Sequence, residues 1–204
     1  MYSKNQIVDL FMLSNKQVYK LEKFIEEIKH FNIHTNIVGK STLIDPWRRH
    51  ILDSLQIANF IKSNKSTIID MGTGAGIPGI ILSIINYHNV SLVDSNTKKI
   101  RFINNLLPQL NIRVRIYLQR LENLKNKKFD FLISRALANL NKLFFYSQNF
   151  LKHDSVLIFL KGKNVKNEIK IAQEKWQFNY KNYKSLSDEQ GNVLIIDNLK
   201  IRND

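Results

Sequence analysis

The chain has 204 residues, 44% of them apolar and 24% charged, which fits one globular core and excludes wholesale disorder or a fibrous repeat. It has no cysteine, so a disulfide framework, a thiolate nucleophile, cysteine-ligated zinc and iron–sulfur clusters are all excluded. Thirty-one Lys and Arg against 17 Asp and Glu give a formal net charge of +14, and a balance that basic favours a polyanionic partner over a merely basic surface.

Met1 to Asp9 has no basic start followed by a long apolar stretch and does not read as a signal peptide. Val18, Leu21, Phe24, Ile25 and Ile28 recur at helical spacing among Lys and Glu, the stripe of an amphipathic helix packed on one face. After a break over 32–42, Pro46 opens a further helix through Ile51, Leu52, Leu55, Ile57, Ala58 and Ile61. Residues 1–62 are thus expected to be a helical extension, joined in one structural unit to a domain spanning 63–204. Thr67 to Asp70 is a short β-branched strand, followed by a Gly-rich turn and an apolar helix over 79–85. Val90 to Asp94 is a second strand and 98–110 the helix after it; further strands fall at 114–118, 129–134 and 155–160, with a helix over 137–151. Strands alternating with helices predict an α/β fold with a doubly wound, mostly parallel sheet. A β-hairpin over Trp176 to Tyr183 and Val193 to Ile196 closes the chain. The longest apolar-rich run, 77–87, is much shorter than the roughly 20 residues a membrane helix needs, so a soluble cytoplasmic protein without membrane contact is expected.

The informative segment is Asp70-Met-Gly72-Thr-Gly74-Ala-Gly76-Ile-Pro-Gly79, between the first strand and a helix. Its glycines let the backbone turn sharply and leave the main chain bare for a ligand. A dinucleotide fingerprint would carry glycine where Ile77 stands, which disfavours NAD and FAD. Asp94 ends the second strand, where an acid can accept ribose hydroxyls, and Asp70 adds a carboxylate that repels pyrophosphate but suits a sulfonium and an amino group. That pattern points to S-adenosylmethionine. The bland alternative makes Asp70 a loop cap and Asp94 a strand end.

With the strings Arg49-His-Ile-Leu-Asp53-Ser54, Gly72 to Gly79 and Ile133-Ser-Arg135-Ala136, in that order, the chain resembles the bacterial 16S ribosomal RNA guanine-N7 methyltransferases, a class I, Rossmann-like family. The resemblance runs from about Leu21 to Lys163. It implies cofactor contacts at Gly72, Ile77, Leu121, Glu122 and Arg135, with Asp94 on the ribose by the class-wide pattern; Gly74 is a further cofactor-binding candidate in the glycine loop. It also implies 16S RNA or the small ribosomal subunit as partner. Phe31-Asn32 and Asn36-Ile37-Val38 depart mildly from the family strings.

Guanine N7 carries a lone pair and no proton, so its methylation by direct displacement requires no general base, and no catalytic residue is assigned. Arg48, Arg49, His50, Arg135, Lys161 and Lys163 are the RNA-binding candidates. Asp53 stands three and four residues after His50 and Arg49, and either is its expected partner. His30 and His34 have helical metal-pair spacing without a third ligand, so no metal is expected. Phe144, Phe145, Tyr146 and Phe150 read as core; Tyr180 and Tyr183 read as the better stacking candidates, against a plain hairpin surface. A monomer is expected. The competing readings are a methyltransferase with another RNA or protein acceptor, and a basic ribosome-assembly factor with a vestigial cofactor loop.

Overall fold

Two Ser-x-x-Gln capping boxes start the chain's first helices in the computed structural model, which describes residues 2–202. Ser3 caps α1 (Lys4–Leu10) and Ser14 caps α2 (Asn15–His34), whose Leu21, Phe24, Ile25 and Ile28 are buried as their spacing predicts. A 3-10 turn (Lys40–Leu43) follows. After Pro46 a π-helical segment (Trp47–Leu52) runs into α3 (Asp53–Leu55) and a second 3-10 turn (Gln56–Phe60).

From β1 (Thr67–Met71) onward strands and helices alternate except at β3–β4 and at the closing β6–β7 hairpin: α4 (Gly79–Ile84), β2 (Asn89–Asp94), α5 (Thr97–Leu110), β3 (Arg115–Leu118), β4 (Phe129–Arg135), α6 (Leu140–Ser147), β5 (Leu151–Lys161), α7 (Val165–Ala172), β6 (Trp176–Lys184) and β7 (Asn192–Ile201). They build a seven-stranded sheet in the order β3-β2-β1-β4-β5-β7-β6. Pairing is parallel from β3 to β5, and β7 enters antiparallel between β5 and β6. The α/β fold with a doubly wound, mostly parallel sheet is therefore as expected.

Alternating residues of β1 feed two cores. Ile68 joins the helical segment, α4 and α5 on one face, while Ile69 and Met71 join α6, α7 and the hairpin on the other. Strand order reverses between β1 and β4, so the chain leaves their carboxyl ends in opposite directions and opens a crevice there.

Several boundaries move. The helix expected over 137–151 is shorter, because Asn139 caps α6 by accepting from the Lys142 amide and Leu151 pairs with Phe129 at the start of β5. Helix α7 was not anticipated. Within the expected aromatic core, Phe144, Tyr146 and Phe150 are buried, but Phe145 points outward.

Candidate active site

The glycine loop after β1 is a tight, internally bonded turn. The amides of Gly72 and Thr73 both donate to the Val93 carbonyl, at 2.9 and 3.0 Å, which ties the loop to the end of β2. Asp70 secures its far side: Oδ2 accepts from the Gly79 amide at 2.9 Å and from Thr73 Oγ1 at 2.5 Å. Asp70 is thus the loop's internal staple, fully buried, with Oδ1 left without a partner. Burial pushes its carboxyl up to about 7, although both of those bonds pull it down. Asp94 accepts from the Gly74 amide through Oδ2 at 2.9 Å and from the Asn96 amide through Oδ1 at 2.8 Å.

Gly72 has φ +70°, and a Cβ there would stand 2.5 Å from Leu137 Cδ1. Among the described residues it alone lines both hollows beside the loop. A small one of about 70 Å³ is formed by Gly72, Asp94, Gln119, Leu121, Glu122, Leu137 and their neighbours. A large cleft of about 510 Å³ runs from Gly72 to Ile77 out to Arg49, Lys99 and Arg135. Bare backbone forms the ridge between them and Asp94 borders the small hollow, whereas Asp70, expected to face a cationic ligand, caps the loop from inside and reaches neither hollow. Gly72, Gly74, Ile77, Asp94, Leu121, Glu122 and Arg135 all border one hollow or the other.

The cleft's floor is an ordered polar chain. Arg135, at the end of β4, donates from Nε to Asp53 Oδ2 at 2.9 Å, from Nη2 to the Arg49 carbonyl at 2.8 Å, and from Nη1 to His50 Nδ1 at 3.0 Å. A guanidinium only donates, so Nδ1 must accept and the imidazole proton sits on Nε2. Nε2 then donates to Thr42 Oγ1 at 2.9 Å, whose hydroxyl donates to the Gly39 carbonyl at 2.6 Å. Burial, then the Arg135 and Arg49 charges, hold His50 down at about 3, so it is a neutral spacer. Burial likewise pushes the Asp53 carboxyl up and the Arg135 guanidinium down, each against its partner's attraction. Three of Arg135's five N–H groups are committed, which leaves one on each Nη for a ligand.

Asp53 therefore pairs with Arg135 at the end of β4 rather than with Arg49 or His50, the partners its spacing suggested. Its Oδ1 accepts from Ser187 Oγ at 2.5 Å, and Arg49 is ion-paired with Asp188. Gln56 completes the link to the β6–β7 loop, donating to Ser185 Oγ at 3.1 Å and accepting from the Leu186 amide at 2.9 Å. Asn32, from the string that departs from the family pattern, accepts from the Ile37 and Val38 amides and so shapes the cleft's rim.

Two RNA-binding candidates are withdrawn from the surface. His50 is only 2% exposed. Lys161 is not a solvated loop cation: it pairs with Glu168 at 2.6 Å and donates to the Ala138 carbonyl. Arg48 pairs with Asp45, and Lys163 stays exposed. Tyr180 and Tyr183 are partly exposed, but the Tyr183 ring packs 4.9 Å from Phe60. Sequence reasoning missed Lys99, which lines the cleft and, among the described residues, has no carboxylate partner. Its signal was a lysine in the first turn of α5, where a cation opposes the helix dipole. Among the described residues no three His, Asp or Glu gather as a metal site, and no helix is long and apolar enough to cross a membrane.

The family model described as rRNA small subunit methyltransferase G matches residues 17–194. The ribosomal RNA small subunit methyltransferase G of Rickettsia prowazekii (strain Madrid E) is 38% identical over 182 residues, covering 89% of this chain and 94% of that protein. The protein of the same name from Rickettsia akari (strain Hartford) is 36% identical over 187 residues, covering 92% and 97%. Among solved structures, a TehB-like SAM-dependent methyltransferase from Corynebacterium glutamicum superposes with TM-score 0.56 at 15% identity, covering 76% of this chain and 96% of that one. The PH0226 protein from Pyrococcus horikoshii OT3 gives TM-score 0.63 at 13% identity, covering 84% and 98%. These two share the fold.

Proposed function

The chain belongs to the rRNA small subunit methyltransferase G family, and from that premise we propose that it transfers a methyl group from S-adenosylmethionine to N7 of one guanine in 16S ribosomal RNA. The observation that carries this reading is the family match over 17–194, spanning both the glycine loop and the Arg135 cleft. The bound cofactor supplies a methyl group activated by a sulfonium. Gly72 and Gly74 would give it bare backbone, Asp94 would take the ribose hydroxyls, and Ile77, Leu121 and Glu122 would contact it from the hollows they border.

The residues' part in the reaction is placement. Guanine N7 needs no deprotonation, and the cleft floor offers no free base: His50 is neutral, but its Nδ1 is turned to Arg135. Holding N7 in line with the methyl carbon can supply about 7–11 kcal/mol. Charge accumulates on the base as it is methylated, so cations near N7 would oppose the reaction. Pairing Arg49 with Asp188, Arg135 with Asp53 and Lys161 with Glu168 keeps the cleft's charge balanced. Arg135's free N–H groups then suit guanine O6 or a cofactor carboxylate. Lys99 and Lys163, without carboxylate partners among the described residues, are the free RNA-facing cations; Arg48 and Arg49 would meet RNA as members of their pairs with Asp45 and Asp188, and His50 and Lys161 act as positioning residues. N7 in an A-form helix lies in a groove too deep and narrow for side chains, so the target guanine is unpaired or splayed out.

Residues 1–62 and 63–204 work as one unit, because Arg49, Asp53 and Gln56 are bonded to the β6–β7 loop. We take the chain to act as a monomer in the cytoplasm beside its ribosomal substrate. The test is incubation with labelled S-adenosylmethionine and, separately, protein-free 16S RNA and small subunits lacking the modification, with borohydride and aniline cleavage to map 7-methylguanosine. Label at one guanine, lost in Gly72→Asp, is the expected result. Label on another base or on ribosomal protein would replace the acceptor, and absence of cofactor binding would favour the assembly-factor reading.

A further inference from the structure

Arg48 and Arg49 are adjacent in sequence but serve different cavities. Arg49 lines the large cleft and is paired with Asp188; Arg48 lines a second cavity of about 370 Å³ on the other side of the β6–β7 loop. Ser185 and Asp188 line both, so the two cavities share this stretch of loop as a wall. The second cavity is completed by Tyr2 and Gln6 from the amino-terminal segment and by Leu186, Ser187 and Glu189 from the loop.

Its chemistry is mixed. Tyr2 is 38% exposed and lines the cavity, which leaves aromatic surface for another group. Arg48 is held through Nε by Asp45 Oδ2 at 3.0 Å, and neither of its Nη groups has a hydrogen-bond partner among the described residues. Gln6 accepts from the Ser3 amide through Oε1 at 2.8 Å, and its Nε2 likewise has no partner there. Glu189 is exposed. Carboxylates at Asp188 and Glu189 would repel a phosphate held by Arg48 alone. A ring to stack on, N–H donors and a carboxylate acceptor together match the flat face and mixed edge of a nucleobase.

We propose that this second cavity is a subsite for a nucleobase flanking the methylated guanine in the same RNA strand. The proposal rests on RNA being the substrate. The shared wall gives the register: a strand entering the large cleft needs only to cross Ser185–Asp188 to place a neighbour in the second cavity. The loop is rigid enough to act as that partition, since Gln56, Asp53 and Arg49 each bond to it. Tyr2 supplies stacking, and Arg48, Gln6 and Glu189 face the base edge.

The test compares full-length wild type with Tyr2→Ala, Tyr2→Phe and Arg48→Gln. RNA affinity is measured on unmethylated 16S RNA over a salt series, and cofactor affinity and steady-state methylation in parallel. Tyr2→Ala is expected to weaken RNA binding about tenfold, within the range for loss of a stacked base, while Tyr2→Phe stays within twofold. The salt slope of Tyr2→Ala should match wild type, its KM for RNA should rise with kcat unchanged, and cofactor affinity should hold. Should Arg48→Gln fail to fold, Gln6→Ala and Glu189→Gln probe the same edge from exposed positions. Unchanged RNA affinity in folded Tyr2→Ala overturns the proposal. So does a lower salt slope for Arg48→Gln with no Tyr2 effect, which would assign a phosphate contact. If wild type binds RNA but transfers no methyl, the enzymatic reading fails while the affinity comparison still decides the subsite.

Discussion

Arg135 gathers the polar order of the cleft onto one side chain. Its partner Asp53 is 14% exposed and Arg135 17%, so losing the carboxylate's charge strands a buried guanidinium. Asp53→Asn is expected to cost about 3–5 kcal/mol, seen as a lower urea midpoint at unchanged slope. An unchanged midpoint would mean that His50 and the Arg49 carbonyl hold Arg135 unaided. Gly72→Ala acts differently: φ +70° and the 2.5 Å approach to Leu137 force the loop or Leu137 to shift. Cofactor affinity should fall at least tenfold with little change in RNA affinity, measured by calorimetry and filter binding. Asp70 gives a pH signature. Its carboxyl ionises at about 7 in the folded chain and near 3.8 in the unfolded one. Between those values the folded chain keeps a proton that the unfolded chain has lost, so Asp70's contribution to stability declines as pH rises from about 4 to 7 and is level above. The melting temperature of Asp70→Asn minus that of wild type should therefore grow across this window. A difference independent of pH would show that Asp70 does not titrate there.

At the scale of elements, the 3-10 turn Gln56–Phe60 is joined to the β6–β7 loop by the Gln56 side chain. Gln56→Leu keeps the volume but removes both bonds to the loop, together with those from Gln56 Nε2 to the Asp53 carbonyl and Oδ1. The Leu186 amide should then exchange faster with deuterium, and KM for RNA should rise several-fold with cofactor affinity unchanged; an unaltered exchange rate would mean that Asp53 and Arg49 suffice to fix the loop. Elements with a local signal were legible in the sequence. The β-branched runs of β1 and β2 and the apolar stripes of α2 and α5 each repeat over enough residues to reveal their period. The glycine loop and its two acids were legible because turn chemistry is local. Helix α7 was not: it has only eight residues, with Val165, Ile169 and Ala172 as its buried side. Long-range pairing was equally hidden. Nothing local to Asp53 reveals Arg135, and nothing local to Lys161 places Ala138 on its amine. Arg48 and Arg49 diverge as neighbours in any helix do, but nothing local to Arg49 reveals Asp188 as its partner.

For the molecule as a whole, a net charge of +14 predicts salt-sensitive RNA binding, but the charge total does not say which cations meet phosphate. Pairing does. Lys161 is 8% exposed at its side chain and neutralised by Glu168, so its charge is already committed inside the protein. Lys99 borders the same cleft without a carboxylate partner among the described residues. On an unpaired strand each phosphate contact adds about −0.7 to the slope of log affinity against log salt. Lys99→Gln should therefore make the slope shallower by about 0.7 while leaving thermal stability within a degree or two. Lys161→Gln should leave the slope where it is and lower the melting temperature, since it strands the Glu168 carboxylate beside the Leu140 amide. The reverse pattern, a shallower slope for Lys161→Gln alone, would mean that the Lys161–Glu168 pair opens when RNA binds. In that case the end of β5 would become part of the RNA surface, and the balanced charge of the cleft would belong to the free protein only.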